Sequence, residues 1–318
     1  MLTGDPREIG PELTANPLVR KLTFTGSTEV GRLLLARSAA TVKRTSMELG
    51  GNAPVLVLDD VDLDLAVAGV LAAKYRNTGQ AWVSANRVHV QDGVYDVFAA
   101  KLVARVAELV VGDGCEEGVQ QGPLIDEDAV AKVEAQVADA VGHGAEVLHG
   151  GRRHARGGLL YEPTVLTGVT AAMAVTREET FGPVTPLIRF TDEQDAVRAA
   201  NDTESGLAAY LFARDTERIW RIGAALEAGM VGVDTGLISN EVAPFGGVQA
   251  VGDRPGGPGL RHRGVPRTQV PRPGRRRHPA PVKGPQPWPV TPAPRPVNGR
   301  ESTSSASSTA PSRPSRAT

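Results

Sequence analysis

Two segments of the sequence carry residues suited to holding a phosphate or moving a proton. The run 24–31 (FTGSTEVG) places glycines and hydroxyls between an apolar strand pattern and a helical pattern. Backbone amides at such a helix start favour a phosphate, although many strand–helix turns look alike. In the run 47–51 (MELGG), Glu48 stands beside two glycines. A buried carboxylate there can act as a general base, whereas a solvated turn residue would have no chemical role.

Three further segments join predicted elements through small and amide residues, which is typical of loops near a ligand. They are 76–87 (RNTGQAWVSANR), 178–184 (EETFGPV) and 238–247 (ISNEVAPFGG). Arg76 begins the first of them and could instead cap the helix before it. Taken singly, none of these loops specifies a reaction.

The composition of the chain excludes several classes of protein. Its 318 residues suffice for roughly two domains. The single cysteine, Cys115, excludes an internal disulfide framework and fits a reducing compartment, so we expect a cytoplasmic protein. No apolar run approaches the ~18 residues of a membrane helix, and the start has no secretory signal pattern. The spacings of the six histidines suggest no metal site.

The formal net charge of −1 hides two unlike parts of the chain. Residues 249–318 hold 13 basic and 2 acidic residues and 15 of the 24 prolines, whereas the first 248 residues carry a net charge of −12. Such a tail cannot bury enough apolar surface to fold, so we predict disorder over 249–318. A basic arm can bind nucleic acid through its phosphates. Because Trp288 is its only aromatic residue, we expect no specific nucleic-acid binding.

Between residues 17 and 248, strand-like and helix-like apolar patterns alternate. The predicted strands are 21–24, 53–58, 87–90, 186–190, 208–212 and 230–233. The predicted helices are 29–40, 62–75, 94–111, 127–141, 196–201 and 216–226. Alternation over this length predicts an α/β architecture with largely parallel sheets.

The order and spacing of FTGSTEVG, MELGGNAP, NTGQ, EETFGPV and APFGG resemble the aldehyde dehydrogenase superfamily over roughly residues 19–248. Within it, YRNTGQ and DTGLISNEVAPFGGV look most like succinate-semialdehyde dehydrogenases. The resemblance implies the C-terminal piece of a Rossmann-type NAD(P)-binding domain at 1–50, an α/β catalytic domain at 51–248 and the tail at 249–318. It also implies NAD or NADP as cofactor, a small aldehyde as substrate and a homo-oligomer.

The resemblance further implies a mechanism and the residues that carry it. In the family a cysteine thiolate attacks the aldehyde, hydride passes to a nicotinamide, and a glutamate-activated water hydrolyses the thioester. Glu48 matches the general base, while Arg76 and Ser239 match the residues that grip a distal carboxylate. The positions that match cofactor contacts are Gly26, Ser27, Gly31, Leu49, Glu179 and Phe181.

The first departure from the family pattern removes the nucleophile. Trp82 stands at the family's cysteine, 34 positions after Glu48, and Ser84 stands where several relatives have a second cysteine. Because an indole ring has no nucleophile, we expect neither dehydrogenase nor esterase activity. Cys115 lies 33 residues further on, and we interpret it as a tolerated loop residue that cannot substitute.

Two further departures concern the ends of the chain. Its start matches the interior of the family's cofactor domain, so we expect exposed sheet edges, a tendency to aggregate and impaired cofactor binding. Residues 252–265, back-translated with chosen codons and shifted by one base, read GIGREGPGFGIEEY, which matches the family's C-terminal motif. A frameshift near 249–251 would remove the strand used for subunit pairing. Two interpretations stay open: a dehydrogenase of carboxylated aldehydes, or a catalytically dead remnant.

Overall fold

The computed structural model describes residues 3–239 and 245–250, and these residues form a layered α/β structure. The strands are β1 (Lys21–Thr25), β2 (Arg44–Glu48), β3 (Ala53–Val57), β4 (Ala85–Gln91), β5 (Glu146–His149), β6 (Thr164–Thr167), β7 (Val184–Phe190), β8 (Ser205–Gly206), β9 (Ala208–Phe212), β10 (Met230–Val233) and β11 (Val248–Gln249). The helices are α1 (Pro6–Ala15), α2 (Thr28–Ser38), α3 (Leu63–Tyr75), α4 (Asp92–Val106), α5 (Glu127–Gly142), α6 (Ala174–Arg177), α7 (Glu193–Asn201) and α8 (Thr216–Ala225).

Seven strands form the main sheet in the order β10-β9-β3-β4-β7-β6-β5. Every neighbouring pair in it is parallel except β5 with β6. β1 and β2 form a separate parallel pair, and β8 and β11 form a short antiparallel pair. The predicted α/β architecture with largely parallel sheets is confirmed.

Helices cover both faces of the main sheet, as its mostly parallel strands require. All five residues of β3 and all five of β9 are buried. One face packs with α3 and α4, where Val70 and Phe98 are fully buried. The other face packs with α7 and α8, where Ala196 and Ile222 lie in the core. The central strands are thereby fixed on both sides.

Each of the twelve predicted elements is present, although several of their boundaries differ from the prediction. Seven further elements were not predicted. The helix predicted to reach residue 111 ends at Val106, and Val111 instead forms a bridge with Gln121. The elements that sequence patterns missed are α1, β2, β5, β6, α6, β8 and β11. They are short or half-exposed, and β2 buries only Met47, so no apolar alternation marks it.

The first two residues of the tail predicted to be disordered, 249 and 250, lie within the described part of the chain. Gln249 belongs to β11, and the N–H of Ala250 donates to the carbonyl of Glu204 at 3.0 Å. Residues 251–318, which include the basic tail and most of the proposed frameshift region, lie outside the described residues. Among the described helices none is long and apolar enough to cross a bilayer.

The carboxyl ends of parallel strands are where this architecture binds ligands. β1 and β2 end together, with Thr25 paired to Glu48. The chain continues from them into the turn before α2 and into the glycine turn before β3. The fold thereby brings the segments 24–31 and 47–51 to one edge.

Candidate active site

Glu48 is held at the end of β2 with one free carboxylate oxygen. The N–H of Gly26 donates to the carbonyl of Glu48 at 3.1 Å, which ties the first turn to the second. Oε2 of Glu48 is buried and has no hydrogen-bond partner among the described residues. Burial raises the pKa of Glu48 above its ordinary value. An unpartnered carboxylate of this kind can accept a proton from water, as a general base must.

The first turn of α2 lies directly on the strand end that carries Glu48. Ser27 caps α2, and its hydroxyl accepts the N–H of Val30 at 3.4 Å. A Cβ atom at Gly31 would lie 2.4 Å from Cδ2 of the buried Leu49, so the Leu49 side chain would have to shift if position 31 carried a larger residue. The helix start, with Ser27 exposed, is therefore fixed beside the glutamate and can offer its amides to an anion.

The carboxylate of Glu179 lies across the glycine turn that follows Glu48. The N–H of Gly51 donates to Oε1 of Glu179 at 3.1 Å. A Cβ atom at Gly50 would lie 2.7 Å from Oε2 of Glu179 and 3.3 Å from Oγ1 of Thr28. Three segments far apart in sequence thus meet at one carboxylate.

Trp82 lies between this turn and Phe181. A Cβ atom at Gly51 would lie 2.2 Å from the carbonyl oxygen of Trp82. The rings of Trp82 and Phe181 are 6.5 Å apart at an interplanar angle of 45°. Phe181 has a φ of +52°, a backbone conformation that a bulky residue adopts only when its surroundings impose it. The backbone of Trp82 therefore lies against the glycine turn, and its indole ring lies beside Phe181.

The loop before Trp82 is strained and firmly held. Asn77, Thr78 and Gly79 have φ angles of 53°, 59° and 76°. Oγ1 of Thr78 donates to the carbonyl of Gly122 at 3.2 Å and accepts the N–H of Gly122 at 3.0 Å. The side chain of Gln80 accepts the N–H of Ile125 at 2.9 Å. Such strain collects at functional sites, where surrounding contacts over-determine the backbone.

Arg76 and Ser239 are both exposed to solvent. Burial raises the pKa of Tyr210 and the charge of Arg76 opposes that rise, so the two residues lie within electrostatic reach. A Cβ atom at Gly232 would lie 3.2 Å from Cδ1 of Tyr210 and 2.5 Å from Cγ2 of Ile238, the residue before Ser239. The shared binding role of Arg76 and Ser239 stays a prediction.

Cys115 lies in an exposed loop away from this cluster. Its N–H donates to Oδ1 of Asp113 at 2.9 Å. Across the described parts of the chain, no group of three histidine, cysteine or acidic side chains could hold a metal ion.

Sequence patterns missed several residues that build the site. Nδ2 of Asn86 donates to Oδ1 of Asn52 at 2.7 Å and to the carbonyl of Glu178 at 3.0 Å, and Oδ1 of Asn86 accepts the N–H of Thr180 at 3.2 Å. These bonds fix the segment that carries Glu179. The available signal was an amide in a buried strand, since buried polar side chains are retained where they have partners.

Burial raises the pKa of Glu179 from 4.5 to about 7, against the opposing effects of the Gly51 hydrogen bond, Lys132 and Lys74. A raised pKa means that the folded state holds the proton between these pH values while the unfolded state releases it. Stability should therefore fall as pH rises from 4.5 to about 7, by a few kcal/mol at most. Glu179→Gln should remove this slope in urea unfolding, whereas Glu178→Gln, at the exposed neighbour, should keep it. Equal slopes in both variants would contradict the assignment.

Comparison with known proteins relates this arrangement to one family. A model of the aldehyde dehydrogenase family matches residues 1–258. The chain is 59% identical over 252 residues to succinate-semialdehyde dehydrogenase [NADP(+)] of Escherichia coli, and 58% identical to glutarate-semialdehyde dehydrogenase of Pseudomonas aeruginosa. It is 57% identical to 3-sulfolactaldehyde dehydrogenase of Pseudomonas putida. Each match covers 79% of this chain and 52% of the relative, so the chain spans about half the length of these relatives.

Solved structures agree with these matches. The crystal structure of succinate-semialdehyde dehydrogenase from Burkholderia pseudomallei superposes with a TM-score of 0.78 at 61% identity, covering 79% of this chain and 52% of that one. A lactaldehyde dehydrogenase structure from Escherichia coli gives a TM-score of 0.77 at 33% identity.

Proposed function

This chain belongs to the aldehyde dehydrogenase family, and from that premise we propose that its site is built for the NAD(P)+-dependent oxidation of an aldehyde that carries a distal anionic group. We further propose that the chain itself has lost the nucleophile of that reaction. The observation that carries the proposal is Trp82, which stands at the position of the family's cysteine, with its carbonyl against the Gly51 turn and its ring beside Phe181. Glu48 keeps the environment of a general base.

The described residues fit part of a nicotinamide dinucleotide. Gly26, Ser27 and the amides of the first turn of α2 would face a phosphate, because a helix start attracts anions. The carboxylate of Glu179 would accept hydrogen bonds from ribose hydroxyls. Leu49 and Phe181 would line the nicotinamide. When bound, NAD(P)+ supplies the hydride acceptor.

The distal end of the aldehyde would bind at Arg76 and Ser239. The three relatives named above act, by their names, on aldehydes that carry a carboxylate or a sulfonate at the other end. Arg76 has no ion pair within the described residues, so its planar guanidinium is available for two parallel hydrogen bonds to such a group. Tyr210, whose hydroxyl donates to the carbonyl of Val83 at 2.6 Å, would support this end of the site.

Arg76→Ala should weaken binding of succinate semialdehyde by about 10-fold or more and leave binding of butanal unchanged, because a charge-assisted hydrogen bond is lost only to the carboxylate. Calorimetric titration of the full chain measures both affinities. Arg37→Ala removes an equally exposed arginine at the end of α2 and should change neither. Equal losses for the two aldehydes would refute the role of Arg76.

Without a thiol at position 82, the covalent step has no starting point. Glu48 can take a proton from water, but there is no thioester for that water to attack. The competing interpretation is a remnant that binds neither aldehyde nor cofactor. Calorimetric titration of NADP+ into the full chain separates the two, because saturable binding at micromolar concentration would exclude the remnant.

A further inference from the structure

A basic groove lies at the amino ends of β1 and β2, the ends opposite to Glu48. It has a volume of about 620 Å³, and four cationic side chains line it: Arg20, Lys21, Lys43 and Arg44. The described residues that line it include no carboxylate. Its volume lies within the roughly 300–1,000 Å³ of small-molecule sites. Because β1 extends for roughly 13 Å, the groove is separate from the candidate active site.

The four cations of the groove have no counter-charge in the described part of the chain, where none of them forms an ion pair. Lys21 and Arg44 are direct neighbours across β1 and β2. Like charges side by side on adjacent strands repel each other. The first 248 residues carry a net charge of −12, so this group of unpaired cations contrasts with an acidic background. An anion in the groove would relieve the repulsion.

Lys43 holds the segments around the groove in place. Its Nζ donates to the carbonyl of Asn16 at 2.6 Å and to the carbonyl of Val19 at 2.9 Å. An ammonium group has three N–H donors, so one remains for a ligand. Val42, the neighbour of Lys43, has a φ of +50° and is exposed. A β-branched residue rarely adopts this conformation, and such strain collects at ligand sites.

We propose that this groove is a second ligand site, which binds a small anion that carries two or more adjacent phosphate groups. Four cations around one groove suit a ligand with several negative charges, and the guanidinium groups of Arg20 and Arg44 can each donate two parallel hydrogen bonds to phosphate oxygens. The strand pairing keeps Lys21 and Arg44 side by side before any ligand binds. Inorganic polyphosphate and nucleotides share this chemistry. The inference does not depend on the function proposed above.

The test is acetylation of the lysines of the full chain with sulfosuccinimidyl acetate, followed at each lysine by mass spectrometry. Inorganic tripolyphosphate at about 0.1 mM should slow the acetylation of Lys21 by about 3-fold or more, because the bound anion covers its amine. Lys132, an exposed lysine of α5 outside the groove, should react at an unchanged rate. Lys283 measures binding of the same anion to the basic tail.

Two arginine variants test whether the protection comes from the groove. Arg44→Met should raise the tripolyphosphate concentration that half-protects Lys21 by about 10-fold, because it removes charge-assisted hydrogen bonds. Arg37→Met removes an exposed arginine at the end of α2, outside the groove, and should leave that concentration unchanged. If Arg44→Met does not fold, Arg20→Met takes its place with the same expected shift.

UTP and uridine distinguish the sources of the phosphate groups. Equal protection of Lys21 by UTP and tripolyphosphate would show that the phosphate groups suffice, whereas protection at about 10-fold lower UTP would show that the nucleoside also binds. Uridine carries no charge and should protect no lysine. Protection by uridine would overturn the proposal, as would an unchanged rate at Lys21 or equal slowing at Lys21, Lys132 and Lys283. Equal effects of Arg44→Met and Arg37→Met would also reject it.

Discussion

Trp82→Cys should hydrolyse p-nitrophenyl acetate at least about 10³-fold faster than the unaltered chain at the same site. The new thiol would stand beside Phe181 and the Glu48 turn, where its thiolate can attack the ester carbonyl and expel p-nitrophenolate. Glu48 then takes a proton from the water that hydrolyses the thioester. Stopped-flow absorbance should show a burst of one equivalent followed by turnover. This reaction needs no cofactor, so it tests position 82 alone.

Three variants control the experiment. Trp82→Ala opens the same space without a thiol and should stay inactive. Cys115→Ser, placed in every variant, removes the exposed thiol that could react with the ester. Adding Glu48→Gln to Trp82→Cys should keep the burst and slow the turnover, because the acyl group forms but the attacking water loses its base. If Trp82→Ala matched Trp82→Cys, position 82 would not be the nucleophile's place.

Gly79→Ala should destabilise the fold by about 3 kcal/mol or more. Gly79 has a φ of +76°, and a Cβ atom there would lie 2.2 Å from the carbonyl oxygen of Gly182. Both neighbouring groups are backbone, so neither can rotate away. The change would also push the loop before Trp82 from the segment that holds Phe181. Urea unfolding of the full chain measures the loss.

Gly118→Ala is the matched control for the backbone angle alone. Gly118 has a φ of +83°, yet nothing lies within 4 Å of its Cβ position. Gly118→Ala should lower the free energy of unfolding by only about 1 kcal/mol, which is the cost of a left-handed conformation for alanine. Similar losses of stability in Gly79→Ala and Gly118→Ala would show that a Cβ atom at position 79 does not clash with Gly182. The contact between the two loops would then be too loose to exclude a side chain.

The sequence predicts five of the seven strands of the main sheet because these five are strongly apolar. β3 and β9 are buried on both faces, so each appears as a continuous apolar run with helical patterns on either side. β2 escapes detection because only one of its residues is fully buried, so it shows no apolar alternation. The predicted end of α4 is wrong because the valines that follow Val106 are also apolar. Val111 is buried in a bridged loop while Val110 is half-exposed, and apolar character alone does not distinguish such a loop from a longer helix.

The candidate site likewise contains residues that sequence motifs predict and residues that only the folded structure reveals. Motif spacing predicted site roles for Glu48, Trp82, Glu179 and Phe181, and the fold brings the segments that carry them close together. The network around Asn86 and the burial of Lys74 could not be predicted, because they depend on which distant segments fold against them. Lys74 stands among alanines and valines in α3, and only tertiary packing shows that its side chain is fully buried. The roles of Arg76 and Ser239, and the boundary near residue 50, stay predictions.

We propose that this member of the aldehyde dehydrogenase family keeps the arrangement of its site residues but lacks the nucleophile. The most direct test is to incubate the purified full chain with succinate semialdehyde and NADP+ and to follow NADPH by its absorbance. We expect NADPH to form no faster than it does without protein. NADPH formation that scales with the concentration of the chain, and that Glu48→Gln abolishes, would contradict it.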